Sequence, residues 1–215
     1  MLPLFARLYL WATQRLYNEF AWAYDAVAWL VSGGRWDRWR RLALDYVVGQ
    51  PILEVGFGTG ELLIALARRG QRVVGLDLSP AMHRVTAAKL RRAGLNPPRV
   101  RGAAQHLPFP DAFFDTVLST FPAEYILDPA TLREVRRVLR PGGRLVVAGL
   151  VVWVERSVWS GVARLAVGGS RPSPVDRWRR RAEEAGFLVT EVVRDDPPAR
   201  VPVLIAEVPQ CPLCT

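Results

Sequence analysis

An α/β fold with a doubly wound sheet is what this sequence predicts, and three observations carry the prediction. The stretch Pro51–Leu66 reads as strand, glycine turn and helix: Ile52, Leu53 and Val55 form the short apolar run of a strand buried on both faces, and Leu62, Leu63, Leu66 and Ala67 then recur at helical spacing. A second strand, Val73-Val74-Gly75-Leu76-Asp77, ends in an acid 17 residues beyond Gly60. Helical and strand patterns go on alternating to about residue 208, as they do where helices connect neighbouring strands of one sheet.

Composition limits what else the chain could be. With 215 residues, half of them hydrophobic, it suits one domain with a full core. The expected organisation is an N-terminal helical extension over 1–48, a core over 49–208 and a short tail over 209–215. Arg7, Arg15, Glu19 and Asp25 interrupt the apolar N-terminus, so no run approaches the roughly 20 residues a membrane span needs. No secretory leader is expected, and cytoplasm is the expected compartment. A net charge of +9 invites a nucleic-acid partner, yet 28 of the 29 basic residues are Arg, Lys89 being the sole Lys. With Ala, Gly and Pro abundant, that one-sided usage reads as a compositional habit, and a nucleic-acid partner is disfavoured.

Taken in order, residues 2–31 predict one or two aromatic-rich helices carrying Leu8, Trp11, Phe20, Tyr24 and Trp29. They suit an edge-packed helix, a lid over a ligand, or an interfacial helix in peripheral contact with a membrane. Ser32-Gly33-Gly34 breaks the chain, and a helix of core-packing type follows over 35–48. After Asp77, Ser79-Pro80 opens a helix with a capping residue and a first-position proline; it runs to about Ala93 and Gly94 closes it. His83 on this helix reads as a surface histidine. A short strand at 99–101, a strand at 113–119 and a helix capped by Asp128-Pro129 come next. Arg140-Pro-Gly-Gly143 turns the chain into a fifth strand over 144–150. Residues 151–169 predict an amphipathic helical excursion, 175–185 the last helix, and 186–193 and 200–208 the final two strands.

Chemistry concentrates at the glycine turn. Gly56, Gly58 and Gly60 permit positive φ and a close backbone approach, while the amides of the following helix start stay free to meet polar ligand groups. Asp77, ending the second strand beside the first, is placed to hold a ribose diol. The Gly-x-Gly-x-Gly register differs from the GxGxxG of a pyrophosphate-binding turn, and Glu54 would set a negative charge beside a phosphate. That carboxylate suits a cofactor bearing an ammonium and a sulfonium. Through Glu54-Val-Gly-Phe-Gly-Thr-Gly60 and Asp77 the sequence resembles the class I S-adenosylmethionine-dependent methyltransferases, and within them the small-molecule, ubiquinone/menaquinone-type branch. The likeness extends over about residues 20–208, with its specific motifs between 52 and 147.

The resemblance implies a Rossmann-like sheet of seven strands, mostly parallel with an antiparallel last strand, and S-adenosyl-L-methionine as cofactor, released as S-adenosylhomocysteine. By the same likeness the cofactor set comprises Tyr24, Glu54, Gly56, Phe57, Gly58, Thr59, Gly60, Asp77, Leu78, Met82, Ala104, Gln105 and Ser119. Leu78 and Met82 would sandwich the adenine, although a Met there is more often simple packing. The segment Gly102-Ala-Ala-Gln-His-Leu-Pro-Phe resembles the family's adenine loop, with Ala103 where the family often has an Asp. His106 would border the adenine, away from the methyl group. In the loop after strand four the family often carries a His; this chain offers Glu124 and Tyr125, which could orient or deprotonate an acceptor. The acceptor is expected to be small and hydrophobic: quinone-, phenol- or thiol-like. No metal site is expected, since Cys211 and Cys214 supply two of the four ligands zinc normally takes. Asp196-Pro-Pro-Ala199 and Asn96-Pro-Pro-Arg99 lack the aromatic of the nucleic-acid aminomethylase motif and do not follow strand four. An RNA or protein acceptor and a non-catalytic module are the rival readings.

Overall fold

Every residue of Ile52–Val55 is buried, because this strand has a neighbour on each edge and a helical layer on each face. A computed structural model describes residues 24–154 and 173–210. Strands β1 (Ile52–Val55), β2 (Val73–Asp77), β3 (Arg99–Arg101), β4 (Phe114–Thr120), β5 (Leu139–Ala148), β6 (Trp153–Val154), β7 (Leu188–Asp196) and β8 (Ala199–Glu207) form one sheet. The main order is β3-β2-β1-β4-β5-β8-β7, with the first five strands parallel and β8 antiparallel to both its neighbours. The order in which strands are added therefore reverses at β1, where β2 and β4 flank it. Ligands of such sheets bind at that point, beyond the carboxyl ends of the strands.

Helices α1 (Tyr24–Ser32), α2 (Trp36–Arg41), α3 (Glu61–Arg68), α4 (Pro80–Ala93), α5 (Pro129–Val138) and α6 (Pro174–Glu184) pack around the sheet. Alternation along the strands builds two cores. Leu53, Val55, Val117, Leu145 and Val147 meet Leu132, Val135 and Val138 of α5 and Trp178 of α6 on one face. Ile52, Leu118 and Val146 meet Leu62, Leu63 and Leu66 of α3 and Leu90 of α4 on the other. The caps follow the sequence closely. Ser79 accepts a hydrogen bond from the Met82 amide, Gly94 closes α4 at φ 67°, and Asp128 accepts from the Ala130 amide.

Several boundaries differ from expectation. The helix expected over 35–48 is the six-residue α2 followed by a 3-10 turn, Leu42–Tyr46. Strand five begins at Leu139 rather than Arg144, so the Pro-Gly-Gly segment lies inside β5, with an irregular register against Phe114 and Thr116. Beside the seven expected strands stands an eighth, the two-residue β6, which extends the β5 side of β8. It occupies the start of the expected helical excursion; the remainder of that excursion, most of the N-terminal helical segment and the Cys211/Cys214 tail lie outside the described residues.

Candidate active site

Where β1 ends, the chain makes the glycine turn, with φ of 73°, 54° and 78° at Gly56, Gly58 and Gly60. These left-handed values favour glycine, and at two of the three the packing excludes a side chain as well. A Cβ on Gly56 would lie 2.3 Å from the Tyr125 hydroxyl, and one on Gly60 would lie 2.4 Å from Thr86 Cγ2. One on Gly58 would meet nothing within 4 Å, so the backbone there is open to the cleft it lines.

Asp77 fixes this turn to β2. Its Oδ2 accepts from the Gly58 amide and its Oδ1 from the Ser79 amide, each at 2.8 Å. Burial pushes its carboxyl above the usual value, against the lowering effect of the Ser79 and Gly58 amides. Glu54, from β1, is 1% exposed, and its Oε2 is buried without a hydrogen-bond partner. Desolvation drives its pKa up to about 8; Arg40 opposes the rise, Asp77 adds to it, and the Leu63 amide opposes it.

These groups line one cleft of about 520 Å³, within the range of small-molecule sites. Its far wall is aromatic: Trp36 of α2 stacks on Phe121 with centroids 3.7 Å apart at 20°. Phe121, just after β4, has φ 48°, a strained value for an aromatic residue, and its ring fills the space above Gly149. A buried carboxyl with one oxygen unpartnered, an exposed glycine backbone and an aromatic wall could together hold a cation-bearing cofactor beside a flat apolar molecule.

Comparison with known proteins bears on that arrangement. Residues 53–147 match the family model described as "Methyltransferase domain". A demethylmenaquinone methyltransferase of Thermus thermophilus is 39% identical over 138 residues, covering 61% of this chain and 63% of that protein. The ubiquinone/menaquinone biosynthesis C-methyltransferase UbiE of Vibrio cholerae is 37% identical over 142 residues, covering 62% and 55% respectively. A Haemonchus contortus phosphoethanolamine N-methyltransferase, solved with S-adenosylhomocysteine, shares the fold at TM-score 0.61 and 17% identity, over 82% of this chain and 53% of that one. The stretch from Leu53 to Val147, which carries the glycine turn and Asp77, is thus similar to a methyltransferase domain. It spans less than two thirds of the length of the curated relatives it matches.

In this chain most of the residues singled out from sequence fall into two groups. Glu54, Gly56, Phe57, Gly58, Thr59, Asp77, Leu78, Ala104, Gln105, Glu124 and Tyr125 line the cleft. Gly60, Met82 and Ser119 stand behind its wall. Gly60 abuts Thr86, Met82 packs with Ala81, and the Ser119 hydroxyl lies 3.1 Å from the Val55 carbonyl. Tyr24 begins α1, and its side chain lies outside the described part. Tyr125 donates to the Val55 carbonyl at 3.0 Å, and its oxygen is 2.8 Å from Ser119 Oγ, so this phenol braces the end of β1. Gln105 donates to Asp128 Oδ2 at 3.1 Å.

His83 is not a free surface residue: its Nε2 lies 3.1 Å from the Asp77 carbonyl, and its ring meets Phe57 edge-on at 4.8 Å. Trp36, expected to be core packing, lines the cleft instead. Arg40, Phe121 and Asp25 were not foreseen as site residues. Asp25, next to Tyr24, accepts from the Thr59 hydroxyl at 2.7 Å and pairs with Lys89. Helix α2 carries no glycine or acid pattern that would have marked Arg40 or Trp36.

Proposed function

We propose that this protein is a methyltransferase and moves a methyl group from S-adenosylmethionine to a small, flat, hydrophobic acceptor of the quinone-precursor kind, phenol- and thiol-like molecules being the neighbouring choices. The reading rests above all on the Trp36–Phe121 stack, an apolar wall facing the same cleft as Glu54 and Asp77. The names of the relatives point the same way.

The residues present fit the cofactor. Glu54 has a buried oxygen without a partner, which suits an ammonium, and Gly58 leaves its backbone open. Asp77 and the Gly58 turn would hold the ribose, with Leu78, Ala104 and Gln105 along the adenine. When bound, the cofactor supplies an electrophilic methyl on sulfonium sulfur, so no strong base is obligatory. The chain's own task is positioning: the aromatic wall holds a planar acceptor and excludes water, and Glu124 at the cleft edge orients its polar substituent.

Calorimetric titration with S-adenosylhomocysteine, with NAD as the competing cofactor, tests the first half. Micromolar binding of the former alone is expected, and equal or preferred binding of NAD would overturn the reading. Methyl transfer to a demethylated quinone precursor then tests the acceptor class, which fails if Trp36→Ala leaves its KM unchanged.

A further inference from the structure

We infer that Asp196, the last residue of β7, is a positioning residue for the acceptor: it sets the rotation of α2 and so holds Trp36 against Phe121 in the cleft wall. The inference rests on the acceptor reading above and gives that wall a support from outside the cleft.

Helix α2 has little of its own to hold it. Six residues are too few for a helix to persist in water without tertiary contacts, and Arg35 at its N-cap makes no side-chain cap. The Trp36 amide donates to the Ser32 hydroxyl at 3.0 Å, which fixes where the helix starts but not how it turns about its axis. That turn is set from 157 residues further along the chain. Asp196 pairs in register with Ala199 across the β7–β8 hairpin, so its backbone belongs to the sheet. Its Oδ2 accepts from Trp39 Nε1 at 2.7 Å and its Oδ1 from the Arg38 guanidinium, while Arg35 Nε stands 3.7 Å away. The Asp196 side chain is 13% exposed, so these charges are screened less than a pair in open solvent. Successive residues stand about 100° apart around a helix. A carboxylate whose two oxygens grip residues 38 and 39 therefore fixes rotation as well as height.

Trp36 lies three residues before Trp39 and is its neighbour on the helix surface. Trp39 packs with Ala199 and Val201 of β8 in a small core bordered by Trp36 and Phe121, so the hairpin and the cleft wall are continuous. The two halves of the aromatic stack are held differently. Phe121 sits over Gly149, where a Cβ would come within 2.5 Å of its ring. Trp36 travels with α2, and Asp196 sets where α2 stands.

The experiment is a double-mutant cycle on methyl transfer to the demethylated quinone precursor, with S-adenosylhomocysteine titrated calorimetrically alongside. Asp196→Ala is expected to raise the acceptor's KM by about 3- to 10-fold, the factor for one aromatic contact, and to leave S-adenosylhomocysteine affinity as in the wild type. In a Trp36→Ala background the same substitution should raise KM no further, since the group it positions is gone. Asp196→Asn keeps one accepting oxygen and should raise KM less; it carries the same cycle if Asp196→Ala fails to fold. An equal rise in both backgrounds, or a matching loss of S-adenosylhomocysteine affinity, would make Asp196 a structural residue and overturn the inference. So would an unchanged KM for Asp196→Ala where Trp36→Ala raises it. If Trp36→Ala itself leaves KM unchanged, the acceptor reading falls first, and this inference with it.

Discussion

Glu54 shows how one residue couples stability, pH and ligand. Its folded pKa, about 8, stands above the ordinary 4.5, so the folded state holds a proton that the unfolded chain has released. The unfolded state thus binds fewer protons between those two values, and stability falls as pH rises through that window. Glu54→Gln should flatten this slope in melting curves taken from pH 5 to 9, leaving the variant more stable than the wild type above pH 8. A retained slope would show that other groups set it. The glycines divide in the same way. Gly60→Ala drives a methyl into Thr86 and should cost more stability than Gly58→Ala, whose methyl meets only open space and whose cost is about 1 kcal/mol of backbone strain. Gly58→Ala should show its larger effect in cofactor titration. Equal melting temperatures for the two variants would contradict the packing argument.

At the scale of elements, α1 is tied to the glycine turn through one carboxylate. Asp25 accepts from Thr59 of the turn, pairs with Lys89 of α4 and faces Arg40 of α2, so three elements converge on it. The sole lysine of the chain is part of this junction. Asp25→Ala would leave the Thr59 hydroxyl and Lys89 seeking water. It is expected to weaken S-adenosylhomocysteine binding by about 1.5 to 3 kcal/mol, since hydrogen bonds to charged groups fall in that range. Hydrogen exchange should also rise over residues 24–32. Unchanged exchange there would mean that α1 is held by packing alone. Helix α2 contributes differently: it is short, and its arginines part ways, Arg38 to Asp196, Arg41 back to Asp37 and Arg40 to the cleft wall.

For the molecule as a whole, a basic chain carries an exposed apolar tip. Trp29, Leu30 and Val31 at the end of α1 are 63%, 74% and 79% exposed, on a chain of net charge +9. An apolar tip on a basic protein suits peripheral contact with an anionic membrane surface. No helix among the described residues is long and apolar enough to cross a membrane. Cosedimentation with anionic vesicles, weakened by salt and by Trp29→Asp, is the expected behaviour. Binding that ignores both would remove this reading.

The alternation of apolar periods determined the sheet and its helices, because residues 52–55 and 73–77 carry buried strands in their own composition, and Ser79-Pro80 and Gly94 cap α4 by local chemistry. The glycine turn, Glu54 and Asp77 were legible for the same reason: the chemistry of that turn lies in a contiguous stretch. The tertiary structure alone decided the rest. It set Arg40, Trp36 and Phe121 against residues far along the chain, placed Tyr125 as a brace on Val55, and joined His83 to Asp77. It also laid β6 where a helix was expected, because the free edge of β8 offered backbone partners to residues 153 and 154. Local sequence dictates which backbone form a segment prefers. Which side chain meets which across the fold depends on how those segments pack, and the aromatic side of this cleft is made of such meetings.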